Sequence, residues 1–255
     1  GACPKRKSDT PALLYDASAS IQKDRVRYLE ALRNLVMVGC SEWISEECRK
    51  SLLKNVKIVS IHNGFDLSVF KPTSSNLRQK LGIEDKFVIL GPYNKWSLPI
   101  NQETFDYFVR KISSDMVLVL FGCRDTLKTV SDNVILFGFT NCRKEMAQLY
   151  SMADVMVNVS REDTLSSLNL ECQACGTPVI TYDATGTRET VDQKCGSAVS
   201  AGNYELLYDS VVRVKNTGKR ALSHHCRQWI VDNFDKKTNY QKYVKLYEES
   251  MAARL

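Results

Sequence analysis

No apolar run in this 255-residue chain approaches the roughly 18 to 20 residues needed to cross a membrane, and the first residues show neither a hydrophobic signal segment nor a cleavage pattern. The expectation is a soluble, cytoplasmic protein. G-x-G-x-x-G, the P-loop and H-E-x-x-H are all missing, which removes the usual signals of dehydrogenases, NTPases and zinc proteases. Cys172 and Cys175 form a lone C-x-x-C with no second pair or His cluster at zinc spacing, so both read as core residues rather than metal ligands. Nine cysteines, an odd number spread from Cys3 to Cys226, argue for reduced thiols. Histidine is scarce. His62 beside an Asn-Gly turn reads as a structural or interdomain residue, while His224 and His225 have no partner acid at an obvious spacing. The net charge of +6 is scattered, apart from Lys5-Arg6-Lys7, which reads as a solvated loop rather than a nucleic-acid contact. There is no internal repeat.

What is present is β/α alternation in a chain that is 44% hydrophobic, long enough for one large domain or two modest ones. An amphipathic helix is predicted over 16–33, a strand over Asn34–Cys40, a helix capped by Ser41 and running through Trp43, Ile44 and Leu52, and a strand over Lys57–Ile61. The turn at Asn63-Gly64-Phe65-Asp66 and the polar Thr73-Ser74-Ser75 mark a boundary near 62–75. Beyond it a helix over 76–81 ends at Gly82, and apolar strands follow at Phe87–Gly91, Val117–Gly122, Val134–Phe139, Asp154–Val159 and Pro178–Tyr182. Helices near 102–112, 143–152 and 167–175 separate them, and the chain is helical beyond Gly202. Continuous apolar strands of five or six residues, separated by helices, call for a doubly wound parallel sheet of Rossmann-like type. Its ligand belongs outside the carboxyl ends of the strands.

The most informative window is Ser160–Ile180, SREDTLSSLNLECQACGTPVI, in which a strand delivers an acidic loop into a helix opened by serines. Ser166, Ser167 and Leu168 would offer free backbone N–H groups and the positive end of the helix dipole to a phosphate. Asp163 and Glu171 lie eight positions apart, one in the loop and one two turns into the helix, where carboxylates can accept hydrogen bonds from sugar hydroxyls. Spacing alone leaves open a plainer reading, an acidic turn followed by an exposed helical Glu.

This window resembles the E-x7-E segment of the family 4 retaining glycosyltransferases of the GT-B fold, in the bacterial polysaccharide branch where the stretch reads like S-x-E-D-T-F-G. Other segments resemble the same family in the same order: Ile61–Pro72 (IHNGFDLSVFKP), Leu136–Ala153 (LFGFTNCRKEMAQLYSMA), Asp183–Val191 (DATGTRETV) and the opening Gly1–Pro4. The resemblance implies that Asp163 contacts the sugar and Glu171 the ribose. It places the base against backbone near Phe139 and Thr140, and the diphosphate near Gly91 and Ser166–Leu168. It also implies a nucleotide-diphosphate sugar as donor, a saccharide or lipid-linked glycan as acceptor, retention of anomeric configuration, no metal, and peripheral membrane association in the intact protein. A basic clamp is expected to stabilise the departing diphosphate. Here the sequence departs from the pattern: Gly91–Asn101 reads GPYNKWSLPIN, with Ile100 and Asn101 where the family commonly has Lys-Gly. Lys95 from another register, Arg161 and Arg188 are the candidate replacements. Leu165-Ser166 stands where the family has Phe-Gly, which would narrow the phosphate site.

The resemblance divides the chain into 1–70, a remnant of the N-terminal acceptor lobe with the interdomain stretch; 71–235, the nucleotide-sugar-binding lobe; and 236–255, a helix crossing back. With only about 60 residues before the boundary, the chain is expected to be a fragment of a longer enzyme of hexosyltransferase type. A catalytically degenerate binding or partner-docking module, and another enzyme on the same fold such as an epimerase or phosphorylase, are the competing readings.

Overall fold

The computed structural model describes residues 17–252 except 33, 52, 54, 55 and 125–127; Gly1–Pro4, Lys5–Lys7 and Leu52, singled out above, lie outside the described residues. Helix α1 (Ser18–Glu30) precedes a small unit in which β1 (Val36–Gly39) and β2 (Lys57–Ser60) pair in parallel, with α2 (Glu42–Lys50) between them. Ser41 caps α2 as its position predicts, its hydroxyl accepting the Ile44 N–H at 3.3 Å.

The remaining strands build a second sheet from β3 (Phe87–Pro92), β4 (Met116–Cys123), β5 (Lys128–Ser131), β6 (Val134–Gly138), β7 (Val155–Asn158), β8 (Val179–Asp183) and β9 (Ser197–Ser200). Their order is β5-β6-β4-β3-β7-β8-β9, parallel throughout except for β5, which runs antiparallel to β6 at one edge. The order reverses direction at β3, so the crevice beyond the carboxyl ends of β3 and its neighbours is the position where such sheets take ligands. Two strands escape the sequence reading, β5 (KTVS) and β9 (SAVS), both four residues long and at the sheet edges, with no continuous apolar run to read.

Helices α3 (Leu77–Leu81), α4 (Tyr93–Trp96), α5 (Gln102–Lys111), α6 (Arg143–Met152), α7 (Ser167–Ala174), α8 (Tyr204–Thr217) and α9 (Lys219–Phe234) complete this unit, and α10 (Lys236–Ala252) follows. Because successive strand residues face opposite sides, both faces are buried. Val88 and Leu90 of β3 enter a core with α6, α7 and α9, whereas Ile89 enters a second core with α5 and α8. Each such side chain, fully removed from water, contributes about 1.5 to 3 kcal/mol.

The stretch between β2 and α3 is bound to the chain that follows α9. Phe65 pairs with the α9–α10 junction, its N–H donating to the Phe234 carbonyl at 2.8 Å and its carbonyl accepting the Lys236 N–H. His62 stacks on Phe234 with ring centroids 5.0 Å apart and lies 3.1 Å from Glu189 Oε2, which bears out its structural reading. Glu189 also accepts the N–H groups of Glu42 and Trp43 at 2.8 and 2.7 Å, so it caps α2 from 147 residues away. His225, by contrast, does have an acid: its Nε2 is 2.9 Å from Asp192 Oδ2, a pairing across 33 residues that local spacing cannot reveal. Among the described residues all eight cysteines are free, Cys172 and Cys175 are buried, and no helix is long and apolar enough to cross a membrane.

Candidate functional site

At the carboxyl ends of β3, β4 and β6 a cavity of about 390 Å3 opens, lined by Pro92, Phe121 and Gly122, Gly138 to Asn141, and the facing sides of α6 and α7. Strand β4 bulges at Gly122, between the residues paired at Phe121 and Cys123, with φ of +85°, a conformation that L side chains rarely adopt. Phe139 stands 70% exposed at the rim, with Thr140 beside it, its hydroxyl tied to Glu145 and accepting the Cys142 N–H at 3.1 Å.

Glu171 forms part of the cavity wall from α7, and it is partly buried rather than the exposed helical Glu that spacing left open. Burial pushes its carboxyl up to about 7, against lowering influences from the Tyr150 hydrogen bond and the positive charge of Arg143. Tyr150 is fully buried in α6, and its hydroxyl donates to Glu171 Oε2 at 3.0 Å. The carboxylate is therefore oriented from behind, and Arg143 is the one cation among the described residues lining the cavity.

Helix α7 aims its N-terminus toward the same space. Ser166 is its N-cap but makes no side-chain cap; its hydroxyl turns inward to accept Asn158 Nδ2 at 3.0 Å. The first-turn N–H groups, at Ser167 and Leu168, have no intrahelical acceptor. A buried amide ladder fixes this turn: Asn158 Nδ2 also donates to Asn169 Oδ1 at 2.8 Å, and Asn169 Nδ2 donates to Thr190 Oγ1 at 2.8 Å.

Asp163 sits in the loop before α7. Its carboxylate accepts the Leu165 N–H at 3.2 Å, and its carbonyl accepts from Thr185 Oγ1 and the Gly186 N–H at 2.6 and 2.9 Å. The acidic loop is thereby pinned to the 3-10 turn Thr185–Thr190, but Asp163 does not line the cavity.

Phe139, Thr140, Leu168 and Glu171 are brought together at the cavity, with Ser166 and Ser167 at the adjoining helix start. Gly91, Lys95 and Arg161 are not. A Cβ on Gly91 would stand 2.3 Å from Trp96 Nε1, so this glycine makes room for a buried indole that donates to the Val157 carbonyl, and the neighbouring Pro92 and Asn94 reach the cavity instead. Arg161 Nε donates to Asn101 Oδ1 at 2.9 Å, its NH2 donates to the Ile100 carbonyl, and the guanidinium lies 5.4 Å over the Tyr182 ring. It holds the 99–101 turn. Arg188 lies 3.5 Å from Asp183, also outside the cavity. The residues that sequence reasoning missed are Tyr150 and Arg143, both on α6. Their signal, a first-turn Arg and an apolar-face Tyr seven positions later, looks like ordinary helix patterning.

Comparison with known proteins gives the family and the fold type. The family model described as Glycosyl transferases group 1 matches residues 84–216, from the turn before β3 into α8. An uncharacterized glycosyltransferase of Methanocaldococcus jannaschii is 25% identical over 239 residues, covering 86% of this chain and 58% of the relative. N-acetyl-alpha-D-glucosaminyl L-malate synthase of Bacillus anthracis is 22% identical, with 83% of this chain and 59% of that protein covered. The chain thus spans somewhat over half the length of the curated relatives it matches. Among solved structures, sucrose-phosphate synthase from Thermosynechococcus elongatus superposes with a TM-score of 0.76 at 20% identity, over 98% of this chain and 65% of that one. Anabaena HepE in complex with UDP gives 0.73 at 20% identity, over 91% and 68%. These likenesses establish the GT-B type of fold, and with the family match covering half of its residues the chain belongs to the glycosyl transferases group 1 family.

Proposed function

We propose that this chain is the donor-binding half of a retaining glycosyltransferase that moves a sugar from a nucleoside-diphosphate sugar to a saccharide or lipid-linked glycan. In this reading residues 71–235 form the donor lobe, 1–70 belong to the acceptor lobe and interdomain stretch, and 236–255 form the helix that crosses back. The observation that carries it is Glu171: a carboxyl held by Tyr150 in the wall of the carboxyl-edge cavity, one turn past an uncapped helix N-terminus. A ribose, which offers two adjacent hydroxyls, suits that carboxylate. A diphosphate suits the Ser167 and Leu168 N–H groups.

The nucleoside base then lies against Phe139 and Thr140, and the sugar extends toward the loop carrying Asp163. Solved structures similar to this chain are complexes with UDP, which makes a uridine nucleotide the first choice of donor. Charge on the leaving diphosphate is met by the helix end and Arg143, with no metal in the reading. The free cysteines among the described residues suit the cytoplasm, and the intact enzyme works there at the membrane face.

A second reading, a binding module without turnover, is favoured by one observation. The cations expected to clamp the diphosphate, Lys95 and Arg161, stand outside the cavity. Calorimetric titration with UDP, GDP, ADP and their sugar conjugates tests the proposal. One nucleotide should bind to the wild type and at least tenfold more weakly to Glu171→Ala; no binding by any of them would overturn it. Sugar transfer by the full-length enzyme separates the catalytic reading from the binding module.

A further inference from the structure

At the opposite end of the sheet, where the strands begin, a second cavity of about 960 Å3 opens between α9, α3, the end of α6 and the 72–75 segment. Asp154, immediately before β7, marks this edge, a full strand length from the cavity holding Glu171.

Four cations line the cleft, Arg78, Lys219, Arg220 and Arg227, against one carboxylate, Asp154. That carboxylate is already committed to Arg78 at 2.6 Å and to the Val88 N–H at 2.7 Å. Lys219 donates to the Ser151 and Ala153 carbonyls and Arg227 to the Ala174 and Phe70 carbonyls; these dipoles hold the side chains in place without cancelling their charge. Arg220 has no ion-pair or hydrogen-bond partner among the described residues.

The way α9 begins breaks a further rule. This 16-residue helix opens at Gly218 with no side-chain cap and no acidic residue in its first turn, and instead places Lys219 and Arg220 there. Cations at the positive end of a helix dipole are disfavoured. Burial lowers the pKa of Lys219 further, and nearby Arg78 acts in the same direction. An anion in the cleft removes each of these penalties, and the cavity is large enough for a phosphorylated compound rather than a lone ion.

We propose that this cleft is a second binding site, separate from the donor pocket, for a phosphate-bearing anion recognised by Arg220, Lys219 and the uncapped start of α9. The phosphate is carried by either a soluble phosphorylated compound or an anionic lipid headgroup. Neither source depends on the donor reading.

The test uses wild type, Arg220→Glu and, as the control for the donor pocket, Arg143→Ala. Each is titrated calorimetrically with inorganic pyrophosphate at low salt and co-sedimented with vesicles of phosphatidylglycerol or of phosphatidylcholine. Arg220 is exposed, so the substitution should leave the fold intact by circular dichroism. Binding of either probe that weakens at least tenfold in Arg220→Glu, and is unchanged in Arg143→Ala, supports the site. If phosphatidylglycerol vesicles alone bind, the source is a lipid headgroup; if pyrophosphate alone binds, it is a soluble compound. No binding of either probe by wild type, equal binding by wild type and Arg220→Glu, or loss only in Arg143→Ala would overturn the proposal.

Discussion

Replacing Glu171 with Gln keeps the shape of the side chain and an acceptor for the Tyr150 hydroxyl, but it removes a proton equilibrium that the fold has displaced. In the folded chain this carboxyl titrates at about 7 rather than at its ordinary 4.5, chiefly because burial disfavours the charged form. The native state therefore holds a proton that the unfolded chain has released. The resulting stability is fully present below pH 4.5 and is lost as pH rises through 7, a difference worth about 3 kcal/mol at 1.36 kcal/mol per pH unit. The Glu171→Gln variant has no such dependence. Urea denaturation at pH 5, 6, 7 and 8 should show the two proteins converging at the acid end, with the variant more stable by about 2 to 3 kcal/mol at pH 8. Nucleotide binding should run the opposite way in wild type: ribose hydroxyls favour the carboxylate, so affinity should rise by up to about tenfold per pH unit toward 7 and then level off. A stability difference that is constant across this range, or that grows toward acid, would refute the account of Glu171.

Gly91→Ala forces a Cβ into the Trp96 indole and breaks its bond to the Val157 carbonyl, for an expected loss of about 2 to 4 kcal/mol in chemical denaturation; unchanged stability would show that Gly91 serves something other than Trp96. Asn101→Ala strands the Lys95 and Val159 carbonyls, which accept its Nδ2 at 3.0 and 2.9 Å, and frees Arg161, with an expected cost of about 2 kcal/mol by the same assay. Native-state alkylation at pH 8 should modify the exposed Cys142 quickly and spare Cys172 and Cys175, because burial pushes Cys175 up to about 12 and Cys172 in the same direction; rapid modification of Cys175 would contradict the burial shown.

The parallel sheet was legible because strands buried on both faces are written as unbroken apolar runs, FVILG and VLVLFG among them, and because Gly82 and Ser41 punctuate helices by local chemistry. β5 and β9 were not, since edge strands share their composition with loops. At the cavity, the helix start at Ser166–Leu168 was readable from local order, while Asp163 and Glu171 were singled out by the family resemblance. What those acids touch was not readable. Glu171 depends on Tyr150 twenty-one residues earlier, and Arg161, which resembles a free cation in sequence, is committed to Asn101 sixty residues away. The same limit explains Gly91: the family resemblance placed a diphosphate near it, whereas its neighbour five positions on fills the space with an indole.

A crystal structure of the chain with UDP tests the central claim most directly. The account predicts ribose hydroxyls on Glu171, the diphosphate at the Ser167 and Leu168 N–H groups, and the base beside Phe139 and Thr140. UDP bound elsewhere, with the Glu171 cavity unfilled, would contradict it.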